Sequence, residues 1–280
     1  MTPDRIAILD WSAANRPRLG ADSIWLGLDD GQCWNLATRA LALERLRALI
    51  AQTLAAGQTL LIGADFAFGY PRGFAQALTG QPRAMAVWAW LARHLSDSAD
   101  NRSNRFEVAA AINARMPGIG PFWFNPTRRD IAHLPRKGRA RRDHGFDDLR
   151  TCDRQARGAQ SVWKLGGAGA VGSQTLTGIA ALEHLRGAFP GQIAVWPFDP
   201  PTRPVILAEV FPSILGAEVA ARLGPGTVKD QVQVRVMARA LAALPTLAPL
   251  LAPPPGPADE GWILGLGHET ALRDALCGAP

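Results

Sequence analysis

Cysteine is scarce in this 280-residue chain: Cys33, Cys152 and Cys277 lie far apart and form no C-x-x-C pair. That spacing excludes a disulfide framework and a thiolate zinc site, and fits a reducing cytoplasm. Histidine is equally thin. His94, His133, His144, His184 and His268 form no H-x-x-x-H pair and no cluster with cysteine, which disfavours zinc catalysis. Serine hydrolase chemistry lacks its G-x-S-x-G turn. The N-terminus has no basic stretch followed by an apolar core, and the apolar segment Leu241–Pro257 is interrupted by prolines well short of the ~20 residues a membrane helix needs. No signal peptide and no membrane span are expected. Lysine is also rare, with three against 27 arginines.

What is present is a globular balance of 48% hydrophobic and 19% charged residues, enough to bury a large core. The net charge of +6 is concentrated in one place. Between Arg102 and Arg157 there are thirteen basic residues against six acidic ones, so the rest of the chain is close to neutral. Arg128, Arg129, Arg139, Arg141 and Arg142 stand at the centre of this segment and are the candidates for binding phosphates of a nucleic acid or nucleotide. The alternative is a solvated loop in an arginine-biased composition.

The periodicity predicts three antiparallel strands at Arg5–Leu9, Ser23–Leu28 and Gly31–Leu36, the last two joined through Asp29-Asp30-Gly31. A helix follows over Ala40–Ala56, ending at Gly57, then a strand over Leu60–Ala64 whose unbroken apolar character places it centrally in a sheet. Pro71–Leu95 reads as helical. Ser96–Gln160 loses periodicity, so residues 71–165 read as a helical and loop-rich insertion within one domain spanning 1–280. Helices are expected over Ser173–Arg186, Ser213–Leu223 and Thr227–Leu244, and strands over Ile193–Pro197 and Pro204–Phe211. The fold class is α/β, with a mixed sheet flanked by helices.

Two of these apolar runs, RIAILD and LLIGAD, end in aspartate, at Asp10 and Asp65. A carboxylate at the mouth of a buried strand needs a partner. If the two strands are neighbours, the pair repels and its pKa values rise unless a cation compensates, and hard oxygen ligands favour Mg²⁺ or Mn²⁺. Glu209 within PVILAEVF and Asp230 at the start of the last long helix complete the candidate set. Each has a structural alternative: turn capping for Asp10 and Asp65, an edge-strand surface for Glu209, and a T-x-x-D capping box with Thr227 for Asp230. Ser12, beside Asp10, is a candidate for substrate contact. GAGAVG (Gly167–Gly172) matches G-x-G-x-x-G, but no long strand leads into it and no acidic residue follows about twenty positions later.

The segments ILDWSAA (Ile8–Ala14), IGADFAFGYP (Ile62–Pro71), AEVFPS (Ala208–Ser213), KDQVQVRVMARAL (Lys229–Leu241) and EGWILGLG (Glu260–Gly267) resemble an uncharacterised DUF429-like family with a predicted ribonuclease H-like nuclease fold. That resemblance implies a metal-dependent phosphodiester hydrolase, with Asp10, Asp65, Glu209 and Asp230 as metal ligands and catalytic groups. Some bacterial proteins of this kind are labelled for molybdopterin guanine dinucleotide synthesis, which gives a nucleotide-dependent transferase as the alternative. A non-catalytic nucleic-acid-binding module is the third reading.

Overall fold

A computed structural model describes residues 2–278. Its centre is a six-stranded mixed sheet. The first three strands, β1 (Arg5–Asp10), β2 (Ile24–Leu28) and β3 (Cys33–Leu36), form an antiparallel meander. Gly31, at φ +86°, supplies the left-handed residue of the β2–β3 turn. Helix α1 (Arg39–Ala55) is capped by Thr38, whose hydroxyl accepts the Leu41 amide, and it ends before Gly57 at φ +66°. The chain returns as β4 (Leu60–Ala64), parallel to β1 and buried along its whole length. Strand β6 (Val205–Glu209) lies parallel to β4, and β5 (Ile193–Trp196) closes the edge, giving the order β3-β2-β1-β4-β6-β5.

Alternation along the central strands builds a core on each face of the sheet. Ala7, Leu9, Leu60 and Ile62 face α1, α3 (Ala84–His94) and α6 (Gly172–Ala188). Ile6, Ile8, Leu61 and Ile206 face α8 (Lys229–Ala242) and α9 (Glu269–Gly278). Helix α8 crosses β2 so closely that a Cβ on Gly27 would lie 2.9 Å from Val234. The mixed sheet and its flanking helices agree with the sequence reading.

The expected helix over Pro71–Leu95 is two helices, α2 (Phe74–Thr79) and α3. Gly80 leaves α2 in the left-handed region at φ +73°, and Pro82 bars helical backbone at the residue before it. Within the segment read as irregular lie α4 (Arg105–Asn113), a 3₁₀ turn at Gly138–Ala140 and α5 (Thr151–Gln155). The expected Ser213–Leu223 helix is a 3₁₀ turn at Pro212–Leu215 followed by α7 (Gly216–Ala220).

The segment 71–165 is packed into the core rather than draped over it. Phe74, Phe122, Phe146 and Trp163 form a cluster of edge-to-face and tilted rings with Tyr70, which stacks on Trp163. The Asn113 carboxamide bonds the Phe122 amide and carbonyl and the His133 carbonyl at 2.8–2.9 Å, closing the loop that follows α4. No helix among the described residues is long and apolar enough to cross a membrane.

Helix α6 lies flush against the loop that follows β4. A Cβ at Gly178 would come within 2.4–2.6 Å of the Phe66 ring, which is itself buried beside Asp65. Gly178→Ala is therefore expected to destabilise by about 1–3 kcal/mol, despite alanine's better helix propensity. The midpoint of urea unfolding measures it, and a stabilised variant would contradict this packing.

Candidate active site

The backbone brings Asp10 and Asp65 together. Leu9 pairs with Ala64 in the parallel β1–β4 ladder, and the Asp65 amide donates to the Leu9 carbonyl at 2.9 Å, so both carboxylates leave the same end of adjacent strands. Ile6 and Ile8 face α8, and a Cβ on Gly63 would meet Ile8 and Val210 on that same side. Period-two alternation thus turns Asp10 and Asp65 toward the N-terminus of α8, where Asp230 stands. Both side chains are partly exposed, and neither accepts a hydrogen bond or ion pair among the described residues.

The turn-capping alternatives for this pair do not form. Beside Asp10, the Ser12 hydroxyl donates to the Asp22 carbonyl at 3.0 Å and accepts the Ala14 amide at 3.3 Å. The loop after Asp65 is held by other acids: Glu209 accepts the Phe68 amide, Glu260 the Arg72 amide and Asp259 the Gly73 amide, at 2.9–3.1 Å. Burial, followed by the charges of Asp65, Asp230 and Asp22, holds the Asp10 carboxyl well above the ordinary range. The Asp65 carboxyl is pushed up to about 7, first by burial, then by Glu209 and Asp230, with Lys229 acting in the opposite sense.

Asp230 and Glu209 have protein partners. The capping box is not formed, because Val228 occupies the cap of α8 and the Thr227 hydroxyl bonds Gly224 instead. Asp230 Oδ2 accepts the Asp22 amide at 2.8 Å, leaving Oδ1 unengaged among the described residues. Glu209 is buried, not displayed on an edge. Following Ala208, which faces the α8 side, its carboxylate turns toward the Phe66–Tyr70 loop and receives Arg150 in a bidentate pair at 2.6 and 2.7 Å. As the side chains stand, no set of three or more His, Cys, Asp or Glu among the described residues is disposed to hold a metal ion.

Arg150 is the hub of the buried network beneath the pair. Its Nε and Nη2 donate to Asp153 at 3.0 and 2.8 Å, Nη1 and Nη2 to Glu209, and Nη1 also to the Glu260 carbonyl at 3.3 Å, so all five N–H groups have acceptors. Glu260 in turn accepts the amides of Arg72 and Thr151 at 2.9 and 2.7 Å. The network ties β6, α5 and the C-terminal segment to the loop that carries Asp65. Asp65, Glu209, Arg150 and Asp153 line a cavity of about 50 Å³, room for a water or two. Arg150, Asp153 and Glu260 were not picked out by the sequence reading, although Glu260 opens one of the family-like segments.

The five arginines of the basic segment divide. Arg129 pairs with Glu107 and Arg141 with Asp148. Arg128, Arg139 and Arg142 are exposed and have no ion pair among the described residues. The glycine loop Gly167–Gly172 follows a turn rather than a strand, and two of its amides are already bonded, Ala170 to Gly167 and Gly172 to Lys164. Comparison of the chain with family models, curated proteins and solved structures finds no match.

Proposed function

We propose that the chain is a divalent-metal-dependent phosphodiester hydrolase of ribonuclease H-like architecture. One observation carries the reading: Asp10 and Asp65 sit side by side at the ends of neighbouring parallel strands with no donor on either carboxylate among the described residues, and Asp65 is pushed up to about 7. The strand order β3-β2-β1-β4, with β2 antiparallel, supports the architecture, as does a third aspartate at the start of a late helix.

The residues fit a hard cation that takes few protein ligands. Mg²⁺ keeps several waters and binds through one or two carboxylates plus substrate phosphate, so Asp10 and Asp65 suffice, with Asp230 standing at the start of α8 and its Oδ1 unengaged among the described residues. Bound there, Mg²⁺ or Mn²⁺ supplies a lowered pKa for attacking water and charge stabilisation at phosphorus. Around it, the chain's own groups have separate tasks. The carboxylate pair would hold the cation, the Arg150 network fixes the Asp65 loop, and Arg128, Arg139 and Arg142 offer charge to a nucleic-acid backbone, with affinity falling as salt rises.

The test is hydrolysis of bis(p-nitrophenyl) phosphate and of single-stranded and duplex nucleic acid with Mg²⁺ or Mn²⁺. The wild type is expected to turn over at least one of them, and Asp10→Asn to fall to the no-enzyme background. Undiminished activity of Asp10→Asn, or in EDTA, would refute the reading. Salt-sensitive nucleic-acid binding without turnover would mark a binding module instead. Stabilisation by a nucleotide, but not by phosphodiesters, would mark the transferase linked to molybdopterin guanine dinucleotide synthesis.

A further inference from the structure

The loop after α4 and the segment 131–140 enclose a hollow of about 390 Å³, lined by none of the residues around the Asp10–Asp65 pair. That volume lies within the ~300–1,000 Å³ of small-molecule sites. Ile119, Ile131, Leu134 and Pro135 give it apolar walls. Its polar groups are few, and most are uncommitted. The Asn113 carboxamide is engaged in closing the loop, but the His133 ring makes no hydrogen bond among the described residues, and neither do the amide and carbonyl of Gly118 or of Gly120. Gly120 is buried, and a buried peptide group that the protein leaves unpaired takes its partner from whatever fills the hollow, water or ligand.

Positive charge surrounds this hollow. From Arg128 to His144 seven residues are basic and two acidic, and Arg128, Lys137, Arg139 and Arg142 have no ion pair among the described residues. Two of them are fixed at the wall. Arg139 precedes the lining residue Ala140 in the 3₁₀ turn, and Arg142 exchanges backbone hydrogen bonds with Ile119 at 2.8 and 3.0 Å. This pairing requires glycine beside it: a Cβ on Gly118, at φ +64°, would fall 2.2 Å from the Arg142 carbonyl oxygen. The occupant must therefore combine a compact apolar body, hydrogen-bonding edges and adjacent negative charge. A lipid chain has no edges to offer His133 and the glycine peptides, whereas a nucleobase with its phosphates has all three features. In a duplex the faces are stacked and the edges paired, so only an unpaired base can enter.

We propose that this hollow receives one unpaired base of a single-stranded nucleic acid, with Arg139 and Arg142 on the flanking phosphates. That the strand is a substrate rests on the hydrolase reading, whose substrate class this site names, but binding of the strand needs no metal.

The test is fluorescence anisotropy, in EDTA, of a labelled single-stranded oligonucleotide against an abasic strand of the same length and charge. The wild type is expected to bind the base-bearing strand about five-fold or more tightly, the gain from stacking one base. His133→Asn removes the ring and keeps a residue tolerant of the left-handed backbone at φ +64°. Ala140→Leu, at an exposed position, fills part of the hollow. Neither touches an arginine, so both should narrow the gap between the two strands. Arg139→Gln/Arg142→Gln should weaken both strands alike and reduce the salt dependence. Equal affinity of the wild type for the two strands, a gap undiminished in both His133→Asn and Ala140→Leu, or binding of a free nucleoside monophosphate without binding of the strand would overturn the proposal. Turnover keeps the two claims apart. Preference for the base-bearing strand without Asp10-dependent hydrolysis removes the hydrolase reading and leaves the base site, and the converse removes only the base site.

Discussion

In metal-free buffer at pH 8, Asp10→Asn/Asp65→Asn is expected to unfold at a higher temperature than the wild type, and at pH 4 at nearly the same temperature. The unfolded chain ionises an aspartate near 4, whereas folded Asp65 holds its proton to about 7, and Asp10 is displaced in the same direction. Between those limits the unfolded state has released protons that the folded state retains, so wild-type stability falls as pH rises through the window and is lowest above it. At about 1.4 kcal/mol per pKa unit, Asp65 alone costs up to roughly 4 kcal/mol at pH 8, an upper bound for a partly exposed group. Uncharged carboxamides escape that cost. Saturating Mn²⁺ should reverse the order, stabilising the wild type and leaving the double variant unmoved. A double variant less stable than the wild type at both pH values would mean that the two aspartates serve the fold.

The second large effect is expected at Arg150. Arg150→Met strands Glu209 and Asp153 without their counter-charge in a buried site, and removing one member of such a network costs about 3–5 kcal/mol. That is a large part of a typical domain's 5–15 kcal/mol. Lysine should recover less than half, because a single ammonium cannot span two carboxylates in the forked geometry that Arg150 adopts. Arg150→Met/Glu209→Gln should be more stable than Arg150→Met alone, since one stranded charge is gone. Urea midpoints for the four proteins measure these differences. A single variant within about 0.5 kcal/mol of the wild type, the range of ordinary surface substitutions, would contradict the network.

Asp10 and Asp65 were legible because each closes an uninterrupted apolar strand, and parallel pairing of those strands leaves their ends no choice but to coincide. The acid network beneath was hidden by composition: Arg150 is one arginine among thirteen basic residues in its segment, and nothing local separates a buried hub from a solvated neighbour. Glu209 was read as a site residue from its place within the strand run PVILAEVF, and Asp230 from the start of the last long helix. Only the tertiary structure shows Arg150 holding both oxygens of the first and the Asp22 amide holding one oxygen of the second. Helix α4 escaped notice for a different reason. Arg105, Phe106, Val108, Ala109, Ala110, Ile112 and Asn113 are all buried, so the helix has no polar stripe to set its period against. Arg105, buried at the start of that helix, was concealed in the same stretch.

The central claim is that a divalent ion occupies the gap between the two strand-end carboxylates. Anomalous diffraction from crystals soaked in Mn²⁺ tests it directly. A manganese peak in contact with both Asp10 and Asp65 is the predicted result. A fully soaked crystal with no peak there, and with the two side chains bonded to protein groups instead, would contradict it.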